Sequence, residues 1–200
     1  MKKSAKKFLT LAVFSAGVAV IVVLRQFSPL DMGIVSLSDS SRTKGNPSAT
    51  IHIIEYLDYG CPACVMGAQM LEQYMNRFPG KIAVTLRYFP LHGETSSVYA
   101  ECAARQNKFW EFSETIFSQY QEWRESPDRE QYLIQIAETV GLNKNILEAC
   151  RQDERILALV KESKTQGQEK GVKSTPTYFV NGQMFVGTKA LKDMLDKQLQ

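Results

Sequence analysis

Thr50 to Cys64 reads TIHIIEYLDYGCPAC, and the change of pattern inside that stretch decides the fold. Thr50–Leu57 is short and rich in β-branched residues, as a buried strand is. It runs straight into two cysteines separated by Pro62 and Ala63. From Cys61 onward the period changes. Val65, Ala68, Leu71, Met75 and Phe78 recur every three or four residues and stop at Pro79-Gly80, which predicts an amphipathic helix. Lys81–Phe89 (KIAVTLRYF) then reads as a second strand. Strand, helix and strand at this spacing form a parallel crossover, the opening of an α/β sheet.

Downstream, the pattern is helical from about Ser96 to Gln166, with breaks at Ser126-Pro127 and Gly141. Tyr132, Ile136 and Val140 mark one apolar face; Ile146, Leu147 and Cys150 mark another. Strand character returns at Thr177–Val180, and Asn181-Gly182 supplies a two-residue hairpin signal before Gln183–Val186. A last helix carries Leu191, Leu195 and Leu199. The α/β layer therefore opens before an all-helical insertion and closes after it.

Upstream, Lys2, Lys3, Lys6 and Lys7 precede Phe8–Leu24, a 17-residue run without charge. No small-x-small cleavage site follows Leu24, so an uncleaved membrane anchor is the favoured reading over a cleaved signal peptide. The lysines would hold the N-terminus in the cytoplasm and place the rest of the chain outside it, in the periplasm or at the cell exterior. Residues 1–25 are thus a basic tip and anchor. Residues 26–48, rich in Ser, Asp, Gly and Pro, read as a flexible linker.

The net charge of +3 needs the same partition. Five of the 24 basic residues lie in the first 25 positions, leaving 19 against 21 acidic residues. A folded part near −2, with its basic residues scattered among acids, offers no stripe for nucleic acid.

Cys61-Pro62-Ala63-Cys64 carries the chemistry. At the N-terminus of a helix, unpaired backbone N–H groups and the partial positive charge stabilise a thiolate at Cys61. Cys64, one turn deeper, can reach back to resolve a mixed disulfide. Pro62 suits the first helical turn, where its missing N–H is not needed. The competing readings are a zinc knuckle and a purely structural disulfide. Zinc needs a second set of ligands, whereas Cys102 and Cys150 stand 48 positions apart and the two histidines are isolated. A structural CxxC bridge closes too small a loop to stabilise much.

Period-two alternation places Glu55 among Ile51, Ile53 and Leu57, six positions before Cys61. A carboxyl buried there would have a raised pKa and could exchange a proton with Cys64; the alternative is an edge-strand Glu facing solvent. Thr175-Pro176 immediately precedes the returning strand, and a cis bond does not follow from sequence physics, since X-Pro bonds are cis only about 5% of the time. His92, after Phe89-Pro90-Leu91, could polarise a group at the site, although a lone loop histidine is more often structural or exposed. His52 is assigned to the core or its edge. Phe109, Trp110, Phe112 and Phe117 recur at helical spacing, which is packing more often than a cofactor box.

Taken together, IIEYLDYGCPAC, FPLHGETS, CAARQNKFWEFSETIF and GVKSTPTYFVNG, in that order, resemble the thioredoxin superfamily and within it the DsbA-like branch. The resemblance covers roughly Ala49–Gln200. It implies a thioredoxin-like α/β domain built from residues 49–95 and 167–200, interrupted by a helical insertion at 96–166. It also implies that Pro176 is cis beside the active pair, that Thr175 offers its backbone to an extended substrate segment, and that Pro62 and Ala63 belong to the same substrate surface. Glu55 falls on the family's buried acid. The Pro-Ala dipeptide departs from the Pro-His of the strongest oxidants, and Thr175 resembles the residue before the cis proline in the isomerase branch. Cys102 and Cys150, on apolar helical faces of a domain outside the cytoplasm, are expected to pair as a structural disulfide, the alternative being two buried thiols.

The expected activity is dithiol oxidation: Cys61-Cys64 donates its disulfide to reduced client proteins, and a membrane oxidase of the DsbB or VKOR type restores it. No bound cofactor or metal is required. The rivals are a reductase or isomerase using the same site, and a non-catalytic assembly factor that uses the peptide groove alone.

Overall fold

The computed structural model describes residues 40–199; the sequence readings on residues 1–39 lie outside them. Five strands form one sheet in the order β1-β3-β2-β4-β5: β1 (Thr43–Gly45), β2 (Ile51–Leu57), β3 (Ile82–Tyr88), β4 (Thr177–Val180) and β5 (Gln183–Val186). β2 and β3 are parallel and connected by helix α1 (Pro62–Arg77), the crossover expected from the sequence. The other pairings are antiparallel, with β4 and β5 joined at Asn181-Gly182, where both residues have positive φ.

The sheet carries helices on both faces. On the face of Ile51, Ile53, Glu55 and Leu57 lie α1 and α8 (Thr188–Gln198), tied by a bond from Thr188 Oγ1 to the Ala63 carbonyl and by one from Tyr74 to Asp196. α1 approaches so closely because position 67 is glycine: a Cβ there would stand 2.2 Å from the Tyr178 hydroxyl. On the other face α7 (Glu154–Glu169) uses Gly167 in the same way, against Tyr56 and Phe89.

Between β3 and β4 lie α2 (Thr95–Ala104), α3 (Phe109–Ser118), α4 (Tyr120–Glu125), α5 (Arg129–Thr139), α6 (Lys144–Arg151) and α7. α2 is buried from Ser96 to Ala104, and its small residues let α3, α5, α6 and α7 close around it. Asp128, Asn143 and Asp153 cap α5, α6 and α7 by accepting backbone N–H bonds. Cys102 on α2 and Cys150 on α6 are joined by a disulfide.

The structure differs from the sequence reading in four places. Residues 40–48, read as linker, belong to the fold: Ser40–Arg42 is a 3₁₀ turn and β1 pairs with β3. Arg42 is 1% exposed and forms an ion pair with Glu101 at 2.6 Å, to which the Tyr88 hydroxyl also donates. A three-residue strand has no legible period, and an arginine does not announce burial. On α1 the buried face is Cys64, Gly67, Met70, Leu71 and Tyr74, while Val65, Ala68, Met75 and Phe78 are half-buried along its flank. Close packing at Gly67 turns the helix toward that side. On α5 the buried residues are Leu133, Ile136 and Ala137, and on α6 Ile146 is exposed at 52%. His52, assigned to the core or its edge, is exposed on the sheet face that α7 leaves open, with Asn181 bonded to its backbone.

Candidate active site

The site forms where β2 ends and α1 begins. Cys61 is the N-cap of α1, extended at φ −96° and ψ 119°, with Pro62 opening the helix. The preceding turn is held by the Cys61 N–H donating to the Asp58 carbonyl at 3.0 Å. Asp58 is 1% exposed, and its carboxylate accepts the N–H groups of Gly60, Leu91 and His92 together with His92 Nδ1 at 2.6 Å. The loop 90–92 is thereby fastened beside the cysteines. His92 lies there, with its side chain about half exposed, and Tyr120 donates to the Gly60 carbonyl.

Cys61 and Cys64 are both thiols, Cys64 wholly buried and Cys61 with a narrow opening to solvent. The Cys61 thiol is lowered to about 5, chiefly because Cys64 donates a hydrogen bond to it. Burial opposes that shift, while Thr175 and the backbone N–H groups of Cys64 and Ala63 add to it. Cys64 is pushed well above its ordinary range by the same bond to Cys61, by burial and by the charge of Glu55. The two sulfurs therefore differ: Cys61 is suited to carry a negative charge, and Cys64 to hold a proton.

Thr175-Pro176 is cis, and its loop meets the cysteines directly: the Cys61 thiol lies 3.4 Å from the Thr175 carbonyl oxygen. Thr175 is half-buried and Pro176 buried, with Pro62 exposed and Ala63 half-buried across from them. The structure thus gathers Cys61, Cys64, Pro62, Ala63, Thr175 and Pro176 into one rim.

Glu55 lies on β2 opposite Leu86 of β3 and Tyr178 of β4, and is 1% exposed. Its Oε1 and the Tyr178 hydroxyl are each buried without a hydrogen-bond partner. Burial raises its pKa to about 8, the Cys61 charge adds to the rise and the neighbouring Tyr178 partly offsets it. Glu55 also borders a cavity of about 240 Å³ whose wall includes Leu71, Met75, Leu86, Trp110 and Phe117. A carboxyl that titrates near neutral pH beside a high-pKa thiol suits proton exchange with Cys64.

The Cys102–Cys150 disulfide lies within the insertion and is separate from this rim. Sequence reasoning missed Asp58, the residue that organises the turn; its signal was a carboxylate three positions before Cys61, too ordinary to single out. Among the described residues no group of three or more His, Cys, Asp or Glu side chains is arranged to hold a metal ion.

A family model described as Thioredoxin matches residues 38–198. A curated relative, the Na(+)/H(+) antiporter NhaA 1 of Mycobacterium sp. (strain KMS), is 29% identical over 171 residues, covering 80% of this chain and 27% of the relative. The chain thus spans about a quarter of the length of the curated relatives it matches. Among solved structures, a thioredoxin-like oxidoreductase from Silicibacter pomeroyi DSS-3 is similar with a TM-score of 0.65 at 24% identity, over 78% of this chain and 90% of that one. Alpha-DsbA1 of Wolbachia pipientis is similar at 0.65 and 22% identity, over 78% and 89%. The parallel crossover, the cysteine pair at its helix N-terminus, the cis proline beside it and the match over residues 38–198 converge: the chain belongs to the thioredoxin family, with the fold of the DsbA-like thiol-disulfide oxidoreductases.

Proposed function

We propose that this protein is a dithiol oxidase that donates a Cys61-Cys64 disulfide to client proteins outside the cytoplasm. A client thiolate attacks Cys61, the bond to Cys64 breaks, and Cys64 takes up a proton that Glu55 can supply. A second client thiol then attacks its own partner sulfur and expels Cys61. What supports the direction is the place of Cys61 at the N-terminus of α1, where the Cys64 thiol and backbone N–H groups converge on its sulfur and lower its pKa to about 5. A thiolate that stable is a good leaving group and favours the reduced form of the pair, which makes the disulfide oxidising.

In this reading, residues 1–25 anchor the protein in a membrane, residues 49–95 and 167–200 form the exchanging domain around the insertion at 96–166, and a membrane oxidase of the DsbB or VKOR type restores the disulfide. The similar sequence within chains named as Na(+)/H(+) antiporters is in keeping with a place beside a membrane. Thr175 before the cis proline favours a second reading, in which the same pair runs as a reductase or isomerase.

The deciding experiment is the equilibrium of Cys61-Cys64 with glutathione buffers. A potential near or above about −150 mV is expected for the oxidase. A value near about −250 mV or below overturns it and favours the reductase. Should Cys61→Ser leave the protein's cellular function intact, the site is a peptide-binding groove and not an exchanger.

A further inference from the structure

His92 is held in a way that its place in an exposed loop does not require. Its Nδ1 meets the Asp58 carboxylate at 2.6 Å, and that carboxylate is buried while the ring is about half exposed. A carboxylate only accepts hydrogen bonds, so Nδ1 carries a hydrogen, and in the neutral ring Nε2 keeps the lone pair. The ring stands against the backbone of the residue just before the nucleophile: a Cβ on Gly60 would come within 2.9 Å of His92 Cβ and 3.3 Å of its Cγ. Asp58 supplies both halves of this arrangement, since its backbone carbonyl also accepts the Cys61 N–H. A ring oriented by a buried carboxylate, against the residue that precedes the attacked sulfur, has the form of an activating dyad.

We propose that His92 is the general base for the incoming thiol. As a client docks, the proton of its cysteine passes to His92 Nε2 and its sulfur bonds to Cys61 Sγ. The Cys61–Cys64 bond breaks and its electron pair leaves on Cys64. The client sulfur is oxidised, Cys64 is reduced, and the exposed imidazolium returns its proton to water. The charged group in contact with the ring is Asp58. From α7, Lys164 donates to the Pro90 carbonyl at 2.7 Å, and from α4, Tyr120 donates to the Gly60 carbonyl, so these elements brace the loop. The inference rests on the exchange reading above, and deepens it.

The test is the rate at which a cysteine-containing peptide attacks the oxidised full-length protein, followed by rapid mixing at pH 6.5 and pH 9.5. A free cysteine has a pKa of about 8.5, so a base matters at the lower pH and is redundant at the higher. His92→Gln is expected to slow the attack on the order of tenfold at pH 6.5 and not at pH 9.5. The glutathione equilibrium should stay unchanged, because a base alters rates alone. In His92→Ala, added imidazole should restore the rate at pH 6.5. Equal rates for His92→Gln and wild type, an equal loss at both pH values, or a shifted equilibrium overturns the proposal while leaving the exchange reading standing. A wild-type protein that fails to oxidise the peptide at either pH overturns both.

Discussion

Cys61 and Thr175 are 114 positions apart, and the thiol of the first is aimed at the carbonyl oxygen of the second across 3.4 Å. The contact joins the helix that activates the sulfur to the loop that closes the fold. The low Cys61 pKa has another origin: it comes chiefly from the hydrogen bond that Cys64 donates, with the Thr175 side chain adding to it.

Cys64→Ala should therefore raise the Cys61 pKa from about 5 toward the ordinary thiol range, even though the helix N-terminus is untouched. The pH dependence of iodoacetamide alkylation, or thiolate absorbance near 240 nm, reads this directly. Wild-type Cys61 should react at a constant thiolate-limited rate above about pH 6, whereas the variant should still be gaining rate at pH 8. A curve unchanged by the substitution would place the stabilisation in the backbone.

Glu55 gives the reduced protein a pH-dependent stability of definite sign. Its folded pKa of about 8 lies above the ordinary 4.5, so the folded state holds its proton where the unfolded chain has lost it. Stability from this group is complete below pH 4.5 and declines as pH rises through the window to about 8. Glu55→Gln should accordingly stabilise the reduced protein at pH 8 by on the order of 3 kcal/mol and change little at pH 4.5. Guanidinium unfolding at the two pH values measures the difference. Mixed disulfides with a client should also form more slowly in this variant, since Cys64 loses the proton donor for the step that releases it.

Gly67 and the Tyr178 hydroxyl occupy nearly the same space, and the clash in Gly67→Ala should cost about 1–3 kcal/mol. Tyr178→Phe removes the offending oxygen and one buried hydroxyl that has no hydrogen-bond partner. The penalty of Gly67→Ala should shrink in that background. A double-mutant cycle by chemical denaturation gives the coupling, and strictly additive changes would show that the helix relieves the contact elsewhere.

Arg42→Ala should destabilise the protein by about 2–3 kcal/mol, because the buried Glu101 carboxylate keeps only the Tyr88 hydroxyl and a longer contact to Arg105. Replacing both partners with apolar residues, as in Arg42→Met with Glu101→Leu, should recover most of the loss. Thermal unfolding of the two variants distinguishes a buried charge short of partners from lost packing of the arginine stem.

The parts legible in the sequence were those with a strong local signal. The β2-α1-β3 crossover follows from periodicity, the hairpin from Asn181-Gly182, and the cysteine pair from its position between strand and helix. Glu55 was legible because a carboxylate interrupted an apolar alternation. The cis state of Thr175-Pro176 came from family resemblance alone, as local physics favours trans. What stayed hidden depends on distant partners. Arg42 is buried because Glu101 lies 59 residues away, and Asp58 matters because the loop at 91–92 folds back to it. The α1 face was misjudged by a fraction of a turn because a glycine, invisible to a hydrophobic pattern, marks the closest approach.

Arg42 and β1 also decide how the domain meets a mechanical pull. A force applied through the chain ahead of Ser40 enters the fold at the Ser40–Arg42 turn, with its Arg42–Glu101 pair, and at the Thr43–Gly45 ladder. That ladder is the sheet's edge, and β3 and β2 stand between it and the β4–β5 hairpin that follows Thr175 and Pro176. A pull from that end would thus be met first at one border of the sheet, with the contact between Cys61 and Thr175 on the far side of β2.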